Sequence, residues 1–236
     1  MHRKRSFFTN TLILIMLVTI GCLFSACVER TAVNKALAAG DIEKAKTLIE
    51  EGAEINARLL YLDPQFPLHY ALMYGQPEIA RLLIEKGADI NVQNDLGLTP
   101  LHYALMMVEP EIARLLIEKG ADINVRDGWG ETPLHRAFIS NIGSFPAKGA
   151  KIYERTPNSW FPQYFNTSAT QPETARLLIE KEADLNVQDN FGMTPLHYAV
   201  MKNNLELGSL MIEKGADNSE DVDPDSCRNA NMRGSN

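Results

Sequence analysis

The hydrophobic pattern of this chain is helical, and it recurs. In "TPLHYALM", Leu101, Ala104 and Leu105 fall three and four residues apart, the spacing of one face of a helix. In "PEIARLLIEKGADINV", at Pro77–Val92, the residues Ile79, Leu82 and Leu83 make a second apolar stripe. The phrase returns unchanged at Pro110–Val125 and, as "PETARLLIEKEADLNV", at Pro172–Val187. Polar positions mark where the helices start and stop. Thr99 predicts a hydroxyl cap, and Pro100 suits the first helical position because its missing N–H would have no partner there. Pro77 and Glu78 open the second helix, the carboxylate suiting the positive dipole end. Arg81 and Glu85, one turn apart, predict an outward pair. Gly87 predicts a left-handed stop, and "ADINVQNDLG" an extended finger towards the next copy.

The copies keep a period. Pro67, Pro100 and Pro133 stand 33 residues apart, as do Pro162 and Pro195, and Gly87 and Gly120. Between Pro133 and Pro172 the spacing predicts an eroded copy. Gly87 precedes Pro100 by 13 residues and Gly149 precedes Pro162 by the same 13; Pro67 to Pro77 and Pro162 to Pro172 are both 10. Phe161–Tyr164 then falls in the register of Phe66–His69. Only Pro133 to Gly149 is irregular, 16 residues where Pro100 to Gly120 is 20. The missing stretch is about one helical turn, which reads as a shortened second helix, broken further by Pro146. Counting back from Gly52 puts Ala32 at the proline position. The reading is six copies, at about 31–62, 63–95, 96–128, 129–157 (shortened), 158–190 and 191–220, followed by a polar tail, 221–236, expected to be disordered.

The copies differ in quality. Phe66 and Phe161 lose the threonine cap. Glu182 replaces the helix-ending glycine, at ~1 kcal/mol if it is left-handed. The fourth and fifth copies are therefore expected to be the weakest. The first copy is more charged than the others and the last carries Gly208 in place of alanine, which predicts ends that tolerate water.

A period of 33 with "TPLHYA" and "GADINV" resembles the ankyrin repeat, over roughly Thr31–Glu220. The resemblance implies an all-α repeat solenoid, a stack of about six helix-turn-helix repeats with finger loops, and non-enzymatic protein binding. It assigns His69, His102, His135 and His197, which share one motif position, to hydrogen bonds that tie neighbouring repeats together. Geometry speaks against a metal there: stacked helices lie ~8–10 Å apart, too far for two such histidines to share a zinc through bonds of ~2.1 Å. Asp89, Asp122, Asp184 and Asp217 recur with the repeat and read as fold chemistry. No nucleophile elbow, dinucleotide loop or phosphate loop is present. The expectation is no catalytic residue, no metal, no cofactor and no small-molecule substrate. A metal-dependent hydrolase centred on His102 is the remote alternative.

If the repeats build a scaffold, partners are read where the copies disagree. Three residues after each motif proline stand Lys35, Tyr70, Tyr103, Arg136, Phe165 and Tyr198; six after stand Ala38, Met73, Met106, Ile139, Ser168 and Met201. In ankyrin proteins these first helices line the concave face, and Tyr, Arg and Met are enriched at interfaces. The finger tips add Asp63, Leu96, Trp129, Asn158 and Phe191. The partner-binding candidates are Tyr70, Met73, Tyr103, Met106, Trp129, Arg136, Phe191, Tyr198 and Met201, with packing inside the stack as the competing role. Trp160, Phe161, Tyr164 and Phe165 either anchor a partner or fill the gap left by the short helix.

Composition adds compartment more than fold. At 45% hydrophobic and 22% charged the chain is ordinary for a globular protein, and a net charge of −7 without a basic patch speaks against nucleic acid. None of its three cysteines, Cys22, Cys27 and Cys227, lies in the repeats, so no disulfide framework is expected. Residues 1–27 stand apart: "HRKR" is basic, "TLILIMLVTIGCLF" is an apolar core, and "LFSAC" brings small residues before Cys27. This resembles a bacterial lipoprotein signal and implies lipidation of Cys27, with Cys22 a second candidate. An uncleaved inner-membrane anchor is the alternative. Val28 after the cysteine favours the outer membrane by resemblance to lipoprotein sorting. Losing Arg3, Lys4 and Arg5 with the signal takes the net charge to −10. The whole reading is a protein-binding module, lipid-anchored in the bacterial cell envelope and facing the periplasm. It would inhibit or protect against a periplasmic enzyme, as an immunity protein does; the alternative is a structural or chaperone-like scaffold for an envelope enzyme.

Overall fold

In the second repeat the chain turns from Pro67–Met73 into Pro77–Glu85, and this hairpin is the unit of the fold. The computed structural model describes residues 31–58, 66–139 and 171–217. They form ten helices and no strand: α1 Ala32–Ala38, α2 Ile42–Glu50, α3 Pro67–Met73, α4 Pro77–Glu85, α5 Pro100–Met106, α6 Pro110–Glu118, α7 Pro133–Phe138, α8 Pro172–Glu180, α9 Pro195–Met201 and α10 Leu205–Glu213. The signal segment with Cys22 and Cys27, the aromatic cluster, Asp63, Asn158, Phe165, Ser168 and the 221–236 tail lie outside the described residues.

Each odd-numbered helix pairs with the even one after it, and the hairpins stack in two layers. First helices run α1–α3–α5–α7–α9 and second helices α2–α4–α6–α8–α10, every neighbour in contact. The all-α repeat solenoid that the resemblance implied is the observed architecture. The core lies between the layers. Leu68, Leu101 and Leu134 from the first helices and Leu83, Leu116 and Leu178 from the second are buried. Ala71, Ala104 and Ala137 sit where the helices approach closely. Arg81 and Glu85 point outward but do not pair. The exposed ion pair on the second-helix layer instead joins Arg176 of α8 to Glu206 of α10.

Helix ends follow the local signals. Beyond α4, the Gly87 N–H bonds the Ile84 carbonyl at 3.1 Å and the Ala88 N–H reaches the Leu83 carbonyl at 2.9 Å, the paired bonds of a Schellman stop. The stop needs a left-handed residue, and Gly87 and Gly120 supply it at φ +87°. Glu182 is forced into the same conformation at φ +62°. Val108, in the turn between α5 and α6, is left-handed too, at φ +56°.

Among the described residues the stack has five layers where six copies were expected. α7 packs directly against α8 and against α9, so Pro133–Phe138 and Pro172–Glu180 are the two helices of one repeat. The same bond closes every hairpin turn: Gln76 N–H to Ala71 O at 2.8 Å, Glu109 N–H to Ala104 O at 2.9 Å and Asn204 N–H to Ala199 O at 2.9 Å. In the fourth repeat the equivalent bond runs from Gln171 N–H to Ala137 O at 3.0 Å. Residues 140–170, which lie outside the described residues, therefore connect the two helices of one hairpin, and among the described helices no separate layer stands between α7 and α9. The Pro and Gly spacings that suggested it match by position only. The stretch from Ile139 to Gly149 has no leucine-rich stripe to bury against two neighbours, whereas Pro172–Glu180 has one.

Two predictions test this architecture. Replacing residues 140–170 by Tyr-Gly, copied from Tyr74–Gly75, should keep the helical circular dichroism amplitude and a single thermal transition, with a midpoint no lower than before. Loss of cooperativity would restore the six-layer count. Glu182→Gly relieves a left-handed side chain and should raise stability by ~1 kcal/mol, read as a higher urea midpoint at unchanged slope.

Candidate functional site

The repeats are joined along two rows of polar residues, and these decide what is left for a partner. The first row is the histidines. Thr99 N–H and hydroxyl both reach His102 Nδ1, at 3.2 and 2.8 Å, and the His102 N–H returns to the Thr99 hydroxyl. With Nδ1 accepting, Nε2 carries the proton and donates to the Glu131 carbonyl of the next repeat at 3.3 Å. His69 Nε2 bonds Leu98 O at 3.0 Å, and His135 Nε2 bonds Met193 O at 3.1 Å, across the 140–170 insertion. Burial pushes the imidazoles of His69 and His102 down to about 4 and lowers those of His135 and His197. His69, His102 and His135 are neutral links between repeats, as the resemblance implied, whereas His197 bonds only Thr194 of its own repeat. Among the described residues no cluster of three or more His, Cys, Asp or Glu is placed to hold a metal.

Of the second row the sequence singled out the aspartates, as fold chemistry, and missed the asparagines they bond. Asn56 Oδ1 accepts from the Asp89 N–H, Asn91 Oδ1 from Asp122, Asn124 Oδ1 from Asp184 and Asn186 Oδ1 from Asp217, each at 2.9 Å. In the second, third and fourth repeats the aspartate accepts from the asparagine N–H two residues on, as Asp89 does from Asn91 at 2.9 Å, and in the first Glu54 takes that place. This zipper explains the Asp and Asn of "GADIN", and the recurrence of that Asn at positions 56, 91, 124 and 186 was the available signal.

The fingers are held differently. Asn94, Asp127 and Asp189 each wrap a finger tip around one side-chain oxygen. Asp127 Oδ1 accepts from the N–H groups of Trp129 and Glu131 at 2.9 and 3.0 Å, and Asp189 Oδ1 from Phe191 and Met193 at 2.8 and 2.9 Å. Nine residues on, the helix clamps the other side of the same group. Asn94 Nδ2 donates to Tyr103 Oη at 3.1 Å, Tyr198 Oη donates to Asp189 Oδ2 at 2.6 Å, and Arg136 puts Nη2 and Nε on Asp127 Oδ2 at 2.7 and 3.1 Å. Asparagine or aspartate meets tyrosine, and aspartate meets arginine, so the finger and helix residues form matched pairs.

This corrects the first-helix row as a partner surface. Tyr70, Tyr103, Met106 and Arg136 are at most 8% exposed, because they pack or clamp inside the stack. Met73 and Tyr198 are half-buried, and Met201 is exposed. Arg136 also lies 2.6 Å from Glu131 and under the Trp129 ring, 5.1 Å from its centroid, so Trp129 is half-buried rather than a free hot spot. One guanidinium serves two buried carboxylates. Burial outweighs the ion pair at Glu131 and pushes its carboxyl up to about 7.

What remains exposed is a ridge of tips. Leu96 is 42% and Phe191 54% exposed, with Trp129 between them on the intervening finger. Backbone bonds fix the spacing: Gly128 N–H to Leu96 O at 2.8 Å and Asn190 N–H to Trp129 O at 2.9 Å. Arg126 adds a bond from Nη2 to Gln188 O at 2.8 Å. A hydrophobic ridge already held in register loses little conformational freedom on binding, which favours a protein partner.

The histidine row carries a pH prediction. Its members have folded pKa values below the ordinary imidazole value of 6.5, so their contribution is present above 6.5 and is lost as pH falls towards 4. Glu131, raised to about 7 from 4.5, opposes them by taking up a proton in the native state. Several histidines outweigh one glutamate, so the urea midpoint should fall between pH 6.5 and 4.5. Glu131→Gln should steepen that fall. A midpoint that rises with acid would show that carboxylates control the stack.

The comparisons with known proteins agree with this geometry. The family model for ankyrin repeats (three copies) matches residues 10–95, 33–127, 68–147 and 144–222. The chain is 40% identical over 52 residues to an ankyrin repeat and LEM domain-containing protein 1 homolog of Caenorhabditis elegans, covering 22% of this chain and 7% of that one. It is 38% identical over 63 residues to a putative ankyrin repeat protein of fowlpox virus (strain NVSL), covering 26% and 14%. A putative ankyrin repeat protein of Rickettsia bellii (strain RML369-C) is 48% identical over 40 residues, covering 17% and 24%. The matched stretches thus span under a quarter of each relative's length. The repeat motif, the two-layer stack and the family match together make this chain a member of the ankyrin repeat family.

Proposed function

We propose that this chain is a protein-binding module of the bacterial cell envelope, tethered through Cys27, which captures a periplasmic enzyme on its finger ridge and inhibits it. The observation that carries the binding surface is the row Leu96, Trp129 and Phe191 on consecutive, hydrogen-bonded fingers, two of its members exposed although large and apolar. Support for the compartment is the basic, apolar and small-residue order of residues 1–27 ending in "LFSAC". A net charge of −10 after its removal favours a partner with a basic surface.

The test is a pull-down from envelope extract with the wild-type chain, Phe191→Asp and Leu96→Asp. Both substitutions sit on exposed side chains, so the fold should be kept while the partner is lost. Retention of every partner by the double variant would remove the ridge from consideration. Addition of the purified chain should abolish the partner's activity; unchanged or raised activity would favour the scaffold role. Cys27→Ala should release the protein from membranes and remove fatty-acid labelling.

A further inference from the structure

Among the described residues Arg136 is the one buried cation, and it stands among three buried carboxyls, those of Asp127, Glu131 and Asp189. The two aspartates are well supplied with donors. Asp127 accepts from the Trp129 and Glu131 N–H groups and from Arg136, and Asp189 from the Phe191 and Met193 N–H groups and the Tyr198 hydroxyl. Glu131 is not. Its Oε2 lies 2.6 Å from Arg136 Nε, but the Nε hydrogen is directed at Asp127 Oδ2, and Oε2 accepts no hydrogen bond. The surroundings bring no second cation. His102 of α5, whose Nε2 bonds the Glu131 carbonyl, and His135 of α7 are made neutral by burial. Tyr198 of α9 keeps its proton, its phenol pushed up by burial and then by the bond to Asp189. Arg126, on the same finger, is exposed and gives its guanidinium to the Gly130 and Gln188 carbonyls. With all three carboxyls ionised, three negative charges would face one positive charge in a space closed to water. A proton relieves that imbalance, and it belongs on Glu131, whose Oε2 has no donor. Burial accordingly pushes the Glu131 carboxyl up to about 7.

The backbone at this site has little freedom to respond. Glu131 N–H bonds Asp127 Oδ1 at 3.0 Å, and Asp127 N–H bonds the Glu131 carbonyl at 2.9 Å. Gly130, between Trp129 and Glu131, is left-handed at φ +77°, and a Cβ there would lie 2.7 Å from Arg126 Nη2 and from Asn190 Oδ1. A change of charge is therefore taken up by side chains. Arg136 is the side chain that touches both carboxylates and also the Trp129 ring, 5.1 Å from its centroid.

We infer that this cluster is a proton-operated switch for the finger ridge: loss of the Glu131 proton to water draws Arg136 towards the new carboxylate, out from under Trp129, and loosens the ring. With the proton bound, the guanidinium is left to Asp127 and the ring stays seated over it. Trp129 stands between Leu96 and Phe191, so the ridge is ordered on the acid side of neutrality and loosened on the alkaline side. The use of this ridge for a partner rests on the function proposed above, but the switch is read without any partner, so the two fail separately.

Trp129 fluorescence tests this in the full-length chain carrying Trp160→Phe, which leaves Trp129 as the single tryptophan. As pH rises through about 7, the emission maximum should move to longer wavelength and quenching by acrylamide should increase, in one proton step. Glu131→Gln cannot ionise and should hold the acid-side emission and quenching at every pH from about 5.5 to 8.5. In the parent chain labelled with carbon-13 at its glutamate carboxyls, one resonance should titrate at the fluorescence midpoint, a readout that does not depend on the folding of Glu131→Gln. A flat fluorescence profile over that range would overturn the inference. So would a shift that persists in Glu131→Gln, which would belong to another group such as His197, or a glutamate set in which every carboxyl titrates below about pH 5.5.

Discussion

No hairpin in this protein has a core of its own. Each internal hairpin among the described residues presents apolar positions on both sides and finds a neighbour for both. The neutral histidine is where this constraint meets polar chemistry. It stands at the seam between repeats, buried, and its two ring nitrogens must both be satisfied. Thr99 and Glu131 do this for His102, and the same threonine arrangement serves His135. His69 lacks the threonine, its place being taken by Phe66, and its Nδ1 is left buried without a partner. The second repeat thus keeps the bond to its neighbour and loses the one that fixes the ring.

The finger clamps obey the same rule. A tip wrapped on one carboxylate oxygen leaves the second oxygen buried and in need of a donor. Tyr198 meets that need at Asp189, and Arg136 meets it at Asp127. The arginine brings a charge into the core and lies against Glu131, whose carboxyl still holds its proton to about pH 7 because burial outweighs that pairing. Scaffold and surface are therefore not separable by residue type. Tyr, Arg and Met, enriched at interfaces elsewhere, are mostly internal here, and the exposed apolar surface is left to the finger tips and the last repeat.

Much of the architecture could be read along the chain. Helix starts at Pro77 and Pro100, the Schellman stop at Gly87, the left-handed Glu182 and the linking histidines are local or periodic features. Their spacing and chemistry carried over into the structure. The partner rows could not be read this way. Tyr103, Arg136 and Tyr198, each three positions after a motif proline, are held by a finger residue nine positions before them. That pairing becomes visible only when finger and helix are seen together.

What the sequence determined by itself is the repeat: its period, its two helices, its caps and the side chains that link it to the next. These depend on short-range spacing and backbone preference. What only the tertiary structure decided is how many layers there are and which residues they cover. Gly149 and Pro162 lie at repeat spacing but outside the described residues, and α7 and α9 are direct neighbours in the stack. A layer exists only where two apolar stripes are buried between neighbours, and α7 reaches across 140–170 to find its second helix in α8. Val200 reads as a core residue by register and is exposed because no repeat follows it among the described residues. Burial is a property of the neighbour, and the position in the phrase does not name the neighbour.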